Sequence, residues 1–434
     1  MNQAFARFIG TENFKASSME HVETVIIGGG HAGLTMSYSL SQLGREHMIL
    51  ERGRVGERWR SERWDSFHFQ FPNWTIELPG YKYQCDNADA FAPGHEVIRF
   101  LDRYAALIKA PVRCGVTVTS VEQGSHAGRY LIHTQDGTIE AANVVIATGP
   151  FQRAAVPLIS AEVPTDVFQV HSNNYRNPDQ LPPGAILVVG AGSSGCQIAE
   201  DLNQSGRRIY LSVGHHRRVP RRYHGRDFGW WASTMGVWEQ TVDMLPSPQA
   251  KKDPVPLLTP ANGGHDVDLR RMAAEGVTLL GRLQAISGSR LIIADDLKKN
   301  LAEGDLRFTD YKKLVDNYVS KTGLTVPEET SSDHGVAEPD EVLHPILEID
   351  LKNAGISSIV WATGFRYDFE WVKLPIFDDT GEPVHQRGVT SFAGIYFLGM
   401  RWLYKRKSHF MLKAGPAEDA AYLAEHIKTR GKQD

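Results

Sequence analysis

The amino-acid sequence predicts an α/β protein with two nucleotide-binding domains, the second inserted in the first. Three observations lead to this prediction. A glycine pattern lies between an apolar strand and a helix at two places, residues 22–51 and 185–211. A strand that ends in Ala-Thr-Gly also occurs twice, at 143–149 and 358–364. The chain has 434 residues, and typical domains have about 150, so it has room for both domains.

The composition is that of an ordinary globular protein. Hydrophobic residues make up 41% and charged residues 23% of the chain, which is typical of α/β proteins. The formal net charge of −4 provides no basic field to attract nucleic acid or anionic lipid. No stretch approaches the ~18 apolar residues that span a bilayer. We therefore expect a cytoplasmic protein without nucleic-acid or membrane partners, with an N-terminal arm and Met19 as an alternative start.

The first glycine pattern has the features of a Rossmann-like dinucleotide site. The apolar strand at 25–27 runs into Gly28-x-Gly30-x-x-Gly33, and a helix follows. Gly28 suits a tight turn, Gly30 the approach of backbone amides to a pyrophosphate, and Gly33 close packing of the helix on the strand. Glu51 follows the second strand, 21 residues past Gly30, where a carboxylate accepts hydrogen bonds from a ribose hydroxyl. The alternative is a glycine-rich turn with a buried helix start.

The second glycine pattern differs from the first at the residue after its second strand. Gly190-x-Gly192-x-x-Gly195 again separates an apolar strand from a helix. The same 21 residues counted from Gly192 lead to Val213, and no acid stands beside it. Because a carboxylate would repel a 2′-phosphate, its absence favours NADPH. Positive charge for that phosphate follows in Arg217, Arg218, Arg221 and Arg222. A solvated basic face is the alternative interpretation of this run.

The repeated Ala-Thr-Gly strand ends suggest how the domains connect, because small residues there permit close backbone packing. The simplest topology is a first nucleotide-binding domain of residues 1–160 plus 345–434. A second domain at 176–340 interrupts it. The segments 160–176 and 340–345 are the predicted linkers.

Cysteines, histidines and the long segment 223–343 add little chemistry. Cys196 begins the second helix, where the dipole would favour a thiolate, but packing is the preferred interpretation. The segment 223–343 would cover the cofactor cleft or form a homodimer contact, with core packing as the default. The cysteines, none in a C-x-x-C pair, are Cys85, Cys114 and Cys196. No metal site is predicted, because these histidines lack partners at ligand spacing: His215, His216, His224 and His265.

Taken together, the motifs resemble the class B flavoprotein monooxygenases, the flavin-containing monooxygenase family, and especially its CzcO-like bacterial branch. The resemblance covers nearly the whole chain. It rests on GGGHAG with Glu51, VGERWR, RWDSFHFQFPNWTIELPG, the paired ATG ends, GAGSSG, GIYFLGMRW and SHFMLKAGPAEDAAYLAEHI. It implies FAD at the first glycine pattern and NADPH at the second, with NADH as an alternative. It also implies an NAD(P)H-dependent monooxygenase that uses O2 and a small-molecule substrate.

In such a family the flavin carries the chemistry. The resemblance implies a flavin C4a-(hydro)peroxide that oxygenates a nitrogen, sulfur or indole-like nucleophile. Gln70 and Asn73 are the candidate catalytic amides, either of which would donate to the peroxide. The alternative for Asn73 is a turn role after Pro72. The predicted cofactor-binding residues are Gly28, Gly30, His31, Ala32, Gly33, Glu51, Arg52, Trp59, Thr148, Gly149, Gly190, Gly192, Ser193, Ser194, Gly195, Arg217, Arg218, Thr363, Gly364 and Leu412.

Two motifs depart from the family's pattern. In G-G-x-W the second glycine is replaced by Glu57. In the linker fingerprint F-x-G-x-x-x-H-x-x-x-Y, His171 and Tyr175 match, but Thr165 and Val167 replace Phe and Gly. A tyrosine where Baeyer–Villiger enzymes have tryptophan favours heteroatom hydroxylation. The histidine is interpreted as a linker residue that hydrogen-bonds the backbone, with proton donation as the alternative.

Two rival functions stay open. A flavin reductase or oxidase with the same architecture would release H2O2. An FAD-binding redox sensor or cation-homeostasis accessory protein would bind flavin without monooxygenase turnover. Disulfide reductases share both glycine patterns, but they need a cysteine pair that the sequence lacks.

Overall fold

The computed structural model describes residues 19–329, 335–411 and 413–431. The strands are, in chain order, β1 (Glu20–Ile27), β2 (His47–Glu51), β3 (Glu77–Leu78), β4 (Tyr81–Lys82), β5 (Val112–Cys114), β6 (Val118–Gln123), β7 (Tyr130–Thr134), β8 (Gly137–Ile146), β9 (Arg153–Ala154), β10 (Phe168–His171), β11 (Ala185–Val189), β12 (Ile209–Ser212), β13 (Arg222–Tyr223), β14 (Arg226–Asp227), β15 (Thr278–Leu280), β16 (Leu283–Ser287), β17 (Arg290–Ile293), β18 (Glu348–Asp350), β19 (Ile356–Trp361), β20 (Phe365–Arg366), β21 (His385–Gln386), β22 (Val389–Thr390) and β23 (Ile395–Phe397). The helices are α1 (His31–Gln42), α2 (Glu57–Ser61), α3 (Gly94–Leu107), α4 (Ser193–Gln204), α5 (Phe228–Thr234), α6 (Leu269–Ala274), α7 (Leu297–Thr322), α8 (Asp340–Leu343) and α9 (Ala417–Arg430).

The first sheet carries the first glycine pattern. Its strands lie in the order β21-β22-β23-β8-β1-β2-β5; β7 pairs with β8, and β6 with β7. β1 is parallel to both β2 and β8, and its residues Val25 and Ile26 are fully buried. Because the carboxyl ends of parallel strands meet at one edge of a sheet, the residues after β1, β2 and β8 come together where α1 begins.

The second sheet repeats this arrangement around the second glycine pattern. Its strands lie in the order β10-β19-β11-β12-β15, and each pair is parallel. Every residue of β11 is buried, as expected for a central parallel strand. α4 follows β11 as α1 follows β1. The two sheets confirm the predicted α/β fold with two Rossmann-like domains.

The sheets divide the chain at other residues than we predicted. We expected the first domain to resume at 345, but β19 lies between β10 and β11 in the second sheet. β10, which we placed in the linker 160–176, is the edge strand of that sheet. The reason is that each Ala-Thr-Gly strand lies beside the strand of its own glycine pattern, β8 beside β1 and β19 beside β11. The repeated strand ends therefore mark one domain each.

The two connections between the sheets run side by side. β9 follows the first Ala-Thr-Gly end and β20 follows the second, and they form an antiparallel pair. The chain therefore leaves and re-enters the first domain at one place, near residues 153–154 and 365–366.

The segment between β12 and β15 joins the two domains through packing. It leaves the second sheet, and several of its buried residues belong to the same hydrophobic cluster as β1 and β8, among them Val219, Phe228, Trp231 and Trp238. Tyr311 of α7 belongs to that cluster too. This segment therefore covers the first domain from the side of the second. In the described ranges, no helix is long and apolar enough to cross a membrane.

Candidate active site

The glycines of the first glycine loop (Gly28–Gly33) face different surroundings. Gly28 has a φ of +115°, and a Cβ there would lie 2.6 Å from the carbonyl oxygen of Ala147. A Cβ on Gly33 would collide with the carbonyl of Gly28. A Cβ on Gly30, by contrast, would meet no described protein atom within 4 Å. The protein's own packing therefore requires Gly28 and Gly33, whereas Gly30 borders open space that a ligand can fill.

The second glycine loop (Gly190–Gly195) has the same geometry. Gly190 has a φ of +106°, and a Cβ there would lie 2.6 Å from the carbonyl oxygen of Ala362. A Cβ on Gly195 would collide with the carbonyl of Gly190, and one on Gly192 would meet nothing described within 4 Å. The two loops therefore offer the same kind of vacant space at the same relative position.

Each open space lies at the N-terminus of a helix. α1 begins at His31 after Gly30, and α4 begins at Ser193 after Gly192. Among the described residues, no side chain caps either end, and neither first turn carries an acid. The first amide groups of a helix lack partners within it, and its dipole favours a negative charge there. Both sites therefore fit the pyrophosphate of a dinucleotide.

Glu51 lies at the end of β2 beside the first glycine loop. One carboxylate oxygen accepts a hydrogen bond of 2.7 Å from the Gly29 amide, and the other accepts one of 2.8 Å from the Gly53 amide. The residue is 9% exposed. These bonds fix the carboxylate against the loop, which is the position required for contact with a ribose. Arg52, which follows it, is largely exposed and lies 3.7 Å from Glu62.

Strand register shows that Val213 occupies the place of Glu51 in the second domain. The Gly28 amide donates to the carbonyl of Leu50, the residue before Glu51. The Gly190 amide donates in the same way to the carbonyl of Ser212, the residue before Val213. Val213 is fully buried. The acid of the first loop is thus replaced by an apolar side chain in the second.

The arginines after Val213 have different roles. Arg218 donates to Asp268 at 2.6 Å and to Asp305 at 2.8 Å, and it packs on the ring of Phe308. Two carboxylates therefore compensate its charge. We predicted a coenzyme contact for Arg218, and this prediction is not retained, because α6 and α7 supply partners that the sequence pattern does not reveal.

Arg217 is the arginine of this run that remains available. It is half-buried, and it forms no ion pair with any described residue. Burial and the nearby Arg307 lower the pKa of its guanidinium. Arg221 is paired with Asp227, and Arg222 is exposed and donates to backbone carbonyls. A half-buried cation that has no ion-pair partner among the described residues fits an anionic group of the coenzyme.

The second helix, α4, begins with two serines, whereas α1 begins with His31 and Ala32. The hydroxyl of Ser193 donates to the carbonyl of Pro256 at 3.2 Å and accepts from the Leu258 amide at 3.3 Å, so it anchors the segment over the second loop. Ser194 is half-buried, and Ala32 is buried. Backbone amides rather than hydroxyl groups are therefore the common feature of both loops.

Trp59 lies on α2, where the family motif departs from its usual form. Gly56 has a φ of +67° and caps α2. Glu57 lies within that helix and pairs with Arg54 at 2.8 Å, which lowers the pKa of its carboxyl to about 2. The turn therefore needs only one glycine, and the change at 57 is tolerated. The ring centroid of Trp59 lies 6.0 Å from that of Phe69 and 5.9 Å from that of Phe67, so Trp59 is part of a cluster of aromatic side chains.

The Ala-Thr-Gly ends are tied to the connections between the domains. The side-chain amide of Gln152 donates hydrogen bonds to the hydroxyl of Thr148 at 2.9 Å and to the carbonyl of Gly149 at 2.8 Å. The hydroxyl of Thr363 donates to the carbonyl of Ala155 at 2.6 Å. These predicted cofactor residues therefore lie beside the glycine loops and also hold the connections between the two domains.

His171 has the backbone role that we preferred. Its Nε2 donates to the carbonyl of Gly364 at 3.0 Å, and burial lowers its pKa. The hydroxyl of Tyr175 donates to Asp201 of α4 at 2.8 Å. The half-matched fingerprint thus fastens the second Ala-Thr-Gly end and α4 to the connection.

Gln70 lies in a bend, and Asn73 begins a short 3-10 helix (Asn73–Thr75) before β3; we call this stretch the Gln70–Asn73 turn. The side chain of Gln70 is half-buried and has no hydrogen bond to any described residue. Asn73 is 6% exposed; its Nδ2 donates to the carbonyl of Asn87 at 3.0 Å, and its Oδ1 has no described partner. The Gln70 amide is thus the freer hydrogen-bond donor, whereas Asn73 offers an unpaired oxygen.

Sequence reasoning named His31 beside the first loop but missed its partner, His409. The Nε2 of His31 donates to the carbonyl of His409 at 3.1 Å. Burial lowers the pKa of His31 to about 4 and holds that of His409 well below its usual value. The Nδ1 of His409 is buried without a described partner. The segment SHFMLK was noted, but its histidine was not, and Leu412 lies outside the described residues.

Packing, hydrogen bonds and ion pairs account for Cys196 and for the four histidines that were considered as metal ligands. Cys196 is 2% exposed, and burial raises its pKa to about 12, which suits packing. Three of the histidines do have distant carboxylate partners: His215 with Glu303, His224 with Asp316, and His265 with Glu200. Within the described ranges, no cluster of His, Cys, Asp and Glu could hold a metal ion.

Comparisons with known proteins agree with this geometry. The family described as pyridine nucleotide-disulphide oxidoreductase matches residues 25–225. An uncharacterized CzcO-like oxidoreductase from Geobacillus kaustophilus (strain HTA426) is 30% identical over 414 residues, covering 94% of this chain and 99% of the relative. An indole-3-pyruvate monooxygenase from Oryza sativa is 27% identical over 233 residues, 51% of this chain and 54% of the relative. A flavin-containing monooxygenase from Stenotrophomonas maltophilia has a similar fold, with a TM-score of 0.64, 18% identity and coverage of 95% and 99%.

Proposed function

Because the chain belongs to the CzcO-like oxidoreductases, which are class B flavin monooxygenase-like, we propose that it is an FAD- and NADPH-dependent monooxygenase. Its substrate is a small molecule with a nucleophilic nitrogen, sulfur or indole-like ring. The observation that carries this proposal is the pair of glycine loops, each with open space at an uncapped helix start. A fixed carboxylate, that of Glu51, lies beside the first loop, whereas Val213 occupies the equivalent place beside the second.

FAD fits the first loop. The amides at the start of α1 would hold its pyrophosphate, and the carboxylate of Glu51 would accept from its ribose. Trp59 lies on α2, which follows β2, and Thr148 and Gly149 follow β8, the strand beside β1. The chemistry that FAD supplies when bound is transfer of the two electrons of NADPH to O2.

NADPH fits the second loop. The amides at the start of α4 would hold its pyrophosphate. The apolar Val213 leaves the ribose end without a repelling carboxylate, and Arg217 brings an unpaired positive charge close to it. The same arrangement accepts NADH with fewer contacts.

The protein's contribution to the reaction is positioning and exclusion of water. The balanced reaction is substrate + O2 + NADPH + H+ → oxygenated substrate + H2O + NADP+. The free amide of Gln70 would donate a hydrogen bond to the oxygen that is transferred. Aromatic rings pack closely in this region: the ring centroid of Phe71 lies 5.5 Å from that of Trp238 and 5.9 Å from that of Phe410. These rings would keep water away from the reaction.

The name of one relative supports a substrate that carries an indole ring. The indole-3-pyruvate monooxygenase covers about half of this chain at 27% identity. Tyr175 in the linker fingerprint favours oxygenation of a heteroatom. A disulfide reductase is disfavoured, because Cys85 and Cys114 are exposed as free thiols and Cys196 is buried apart from them.

The test is a turnover assay of the purified yellow protein. Amines, sulfides and indoles are screened for oxygen uptake coupled to NADPH oxidation, with H2O2 measured in parallel. We expect one class to consume NADPH and O2 equally with little peroxide. Peroxide equal to NADPH for every compound would support an oxidase, and no flavin reduction by NADPH without oxygen would support a sensor. Protein that takes up no flavin would contradict the proposal.

A further inference from the structure

Arg221 is an arginine of the basic run, yet it is 1% exposed. Its Nε donates to the carboxylate of Asp227 at 2.8 Å. Its Nη1 donates to the backbone carbonyl of Gln70, also at 2.8 Å. Its own backbone amide donates to Asp266. The guanidinium therefore connects the segment after β12 with the turn that carries the candidate amides.

Stability alone does not explain this buried pair. Removal of two charges from water costs several kcal/mol, and attraction between them often only offsets that cost. Burial lowers the pKa of Arg221 and raises that of Asp227, which shows that both groups are desolvated. The Nη2 of Arg221 is also buried without a described partner. A well-packed apolar pair would serve the fold at least as well.

The guanidinium also contacts the segment that is hydrogen-bonded to this turn. It lies 4.3 Å from the ring of Phe91. The segment around this ring holds Asn73, whose backbone amide donates to Ala90 and whose side chain donates to Asn87. Arg221 thus touches both the Gln70 backbone and the segment that fixes Asn73.

Asp227 holds the guanidinium from the second direction. Its other oxygen accepts from the Gly229 amide at 2.7 Å and caps α5. α5 packs within the core of the first domain, while the chain before Arg221 leads back to Arg217 and β12. Arg221 therefore links α5 and the segment after β12 to the Gln70–Asn73 turn.

We infer that Arg221 is a positioning residue, which holds the Gln70–Asn73 turn through the Gln70 carbonyl and Phe91. The inference rests on the proposed function in that this turn is taken as the oxygenation site. Loss of the contact leaves the amides displaced, and displacement of a catalytic group by about 1 Å can cost 100-fold. The electrons of NADPH are then lost by NADPH + H+ + O2 → NADP+ + H2O2.

The test compares Arg221→Met combined with Asp227→Asn against Arg222→Met. The double variant leaves no uncompensated buried charge, and an asparagine at 227 can still cap α5. Arg222 is the matched control, because it is exposed and donates to the carbonyls of Gly264 and Gly263. With equal flavin content, we expect the double variant to release at least about 5-fold more peroxide per NADPH, with the KM for NADPH within about 2-fold of the parent. The control should match the parent.

A second measurement does not depend on activity. Hydrogen exchange of a peptide that covers residues 69–75 should be faster in the double variant and unchanged in the control, while α1 and α4 exchange as in the parent. Slow exchange at 69–75 together with parental coupling would overturn the inference. Faster exchange throughout the protein would also overturn it, because the pair would then serve the fold as a whole. A parent protein without coupled oxygenation would contradict the proposed function, and the exchange result would still decide the contact.

Discussion

The two glycine loops have the same backbone and different strand ends. In both, the first and third glycines are required by contacts within the protein, and the second borders open space. The difference lies at the residue after the second strand, which is Glu51 in the first loop and Val213 in the second. Backbone geometry therefore provides a generic pyrophosphate site, while one side chain decides which ribose it favours.

The comparison extends to the electrostatics around the loops. Glu51 places a negative charge at the first ribose position, where two backbone amides hold it. At the equivalent place the second loop has the apolar Val213, and Arg217, further along the chain, forms no ion pair with any described residue. A fixed carboxylate at one strand end and its absence at the other provide a physical reason for two different dinucleotides in one chain.

The largest expected effect comes from filling each open space in turn. Gly30→Val adds a side chain where a pyrophosphate would lie, and the backbone φ of −83° tolerates it. We expect FAD affinity to fall by at least about 10-fold, or about 1.4 kcal/mol, measured as flavin bound per protein by absorbance. Gly192→Val should keep flavin and raise the KM for NADPH about 10-fold. Loss of flavin from both variants alike would contradict the assignment of the loops.

The second test changes the residue that distinguishes the loops. Glu51→Gln leaves one oxygen to serve two amides, so we expect a loss of about 1 to 3 kcal/mol in FAD binding, measured by flavin titration. In the other direction, Val213→Glu should lower the preference for NADPH over NADH about 10-fold, since it introduces the repelling charge. Val213→Gln, of equal size, is the control and should shift the preference less. Equal shifts would show that size rather than charge decides.

The third test separates two neighbouring arginines. Arg217→Ala should raise the KM for NADPH about 10-fold and leave that for NADH unchanged. Arg218→Ala leaves Asp268 without its ion-pair partner and Asp305 with Arg270 alone, so it should instead lower the free energy of unfolding by about 2 kcal/mol. Steady-state kinetics with both coenzymes and urea unfolding measure these effects. A coenzyme effect of R218A as large as that of R217A would restore the phosphate contact that the ion pairs argue against.

The fourth test concerns the pH dependence of stability, to which the helix start of the first loop should contribute and that of the second should not. His31 occupies the place of Ser193, and its pKa is lowered from 6.5 to about 4. The unfolded chain therefore binds a proton between these values that the native chain does not. Stability should fall as pH drops below 6.5, by about 2 kcal/mol at pH 5 from this group. Urea unfolding of His31→Gln at pH 7 and 5 should show a smaller decrease than the parent; an equal decrease would exclude His31 as its source.

The smallest expected effect is at the first core position after each loop. Cys196 occupies the place of Leu34, and both side chains are buried. Cys196→Ala should cost about 1 kcal/mol of stability and leave turnover unchanged. In the native parent, an alkylating reagent should modify Cys85 and Cys114 only, as mass spectrometry would show. Rapid modification of Cys196 would indicate a reactive thiol.

The local parts of the candidate site were predictable. Gly28, Gly30, Gly33 and Glu51 lie within one βαβ unit, so their spacing follows from strand and helix geometry. The same spacing led correctly from Gly192 to Val213. The catalytic roles of Gln70 and Asn73 stay predictions, because they depend on which molecules bind between the domains.

Other features depended on contacts that spacing does not encode. Arg218 finds its partners 50 and 87 residues away, and Arg221 reaches Gln70 across 151 residues. The four arginines look alike in sequence, yet they divide into a paired, a bracing, an exposed and an available side chain. Three histidines likewise gained carboxylate partners from distant helices.

The sequence by itself determined that there are two dinucleotide sites and that they differ at the residue after the second strand. These features are written in consecutive residues whose backbone conformations are set locally by glycine and by strand and helix periodicity. Only the tertiary structure decided to which sheet β19 belongs, which arginine is free, and which side chain braces the Gln70 turn. Strand order and the pairing of charges depend on which distant surfaces are buried together, and burial is a property of the whole fold.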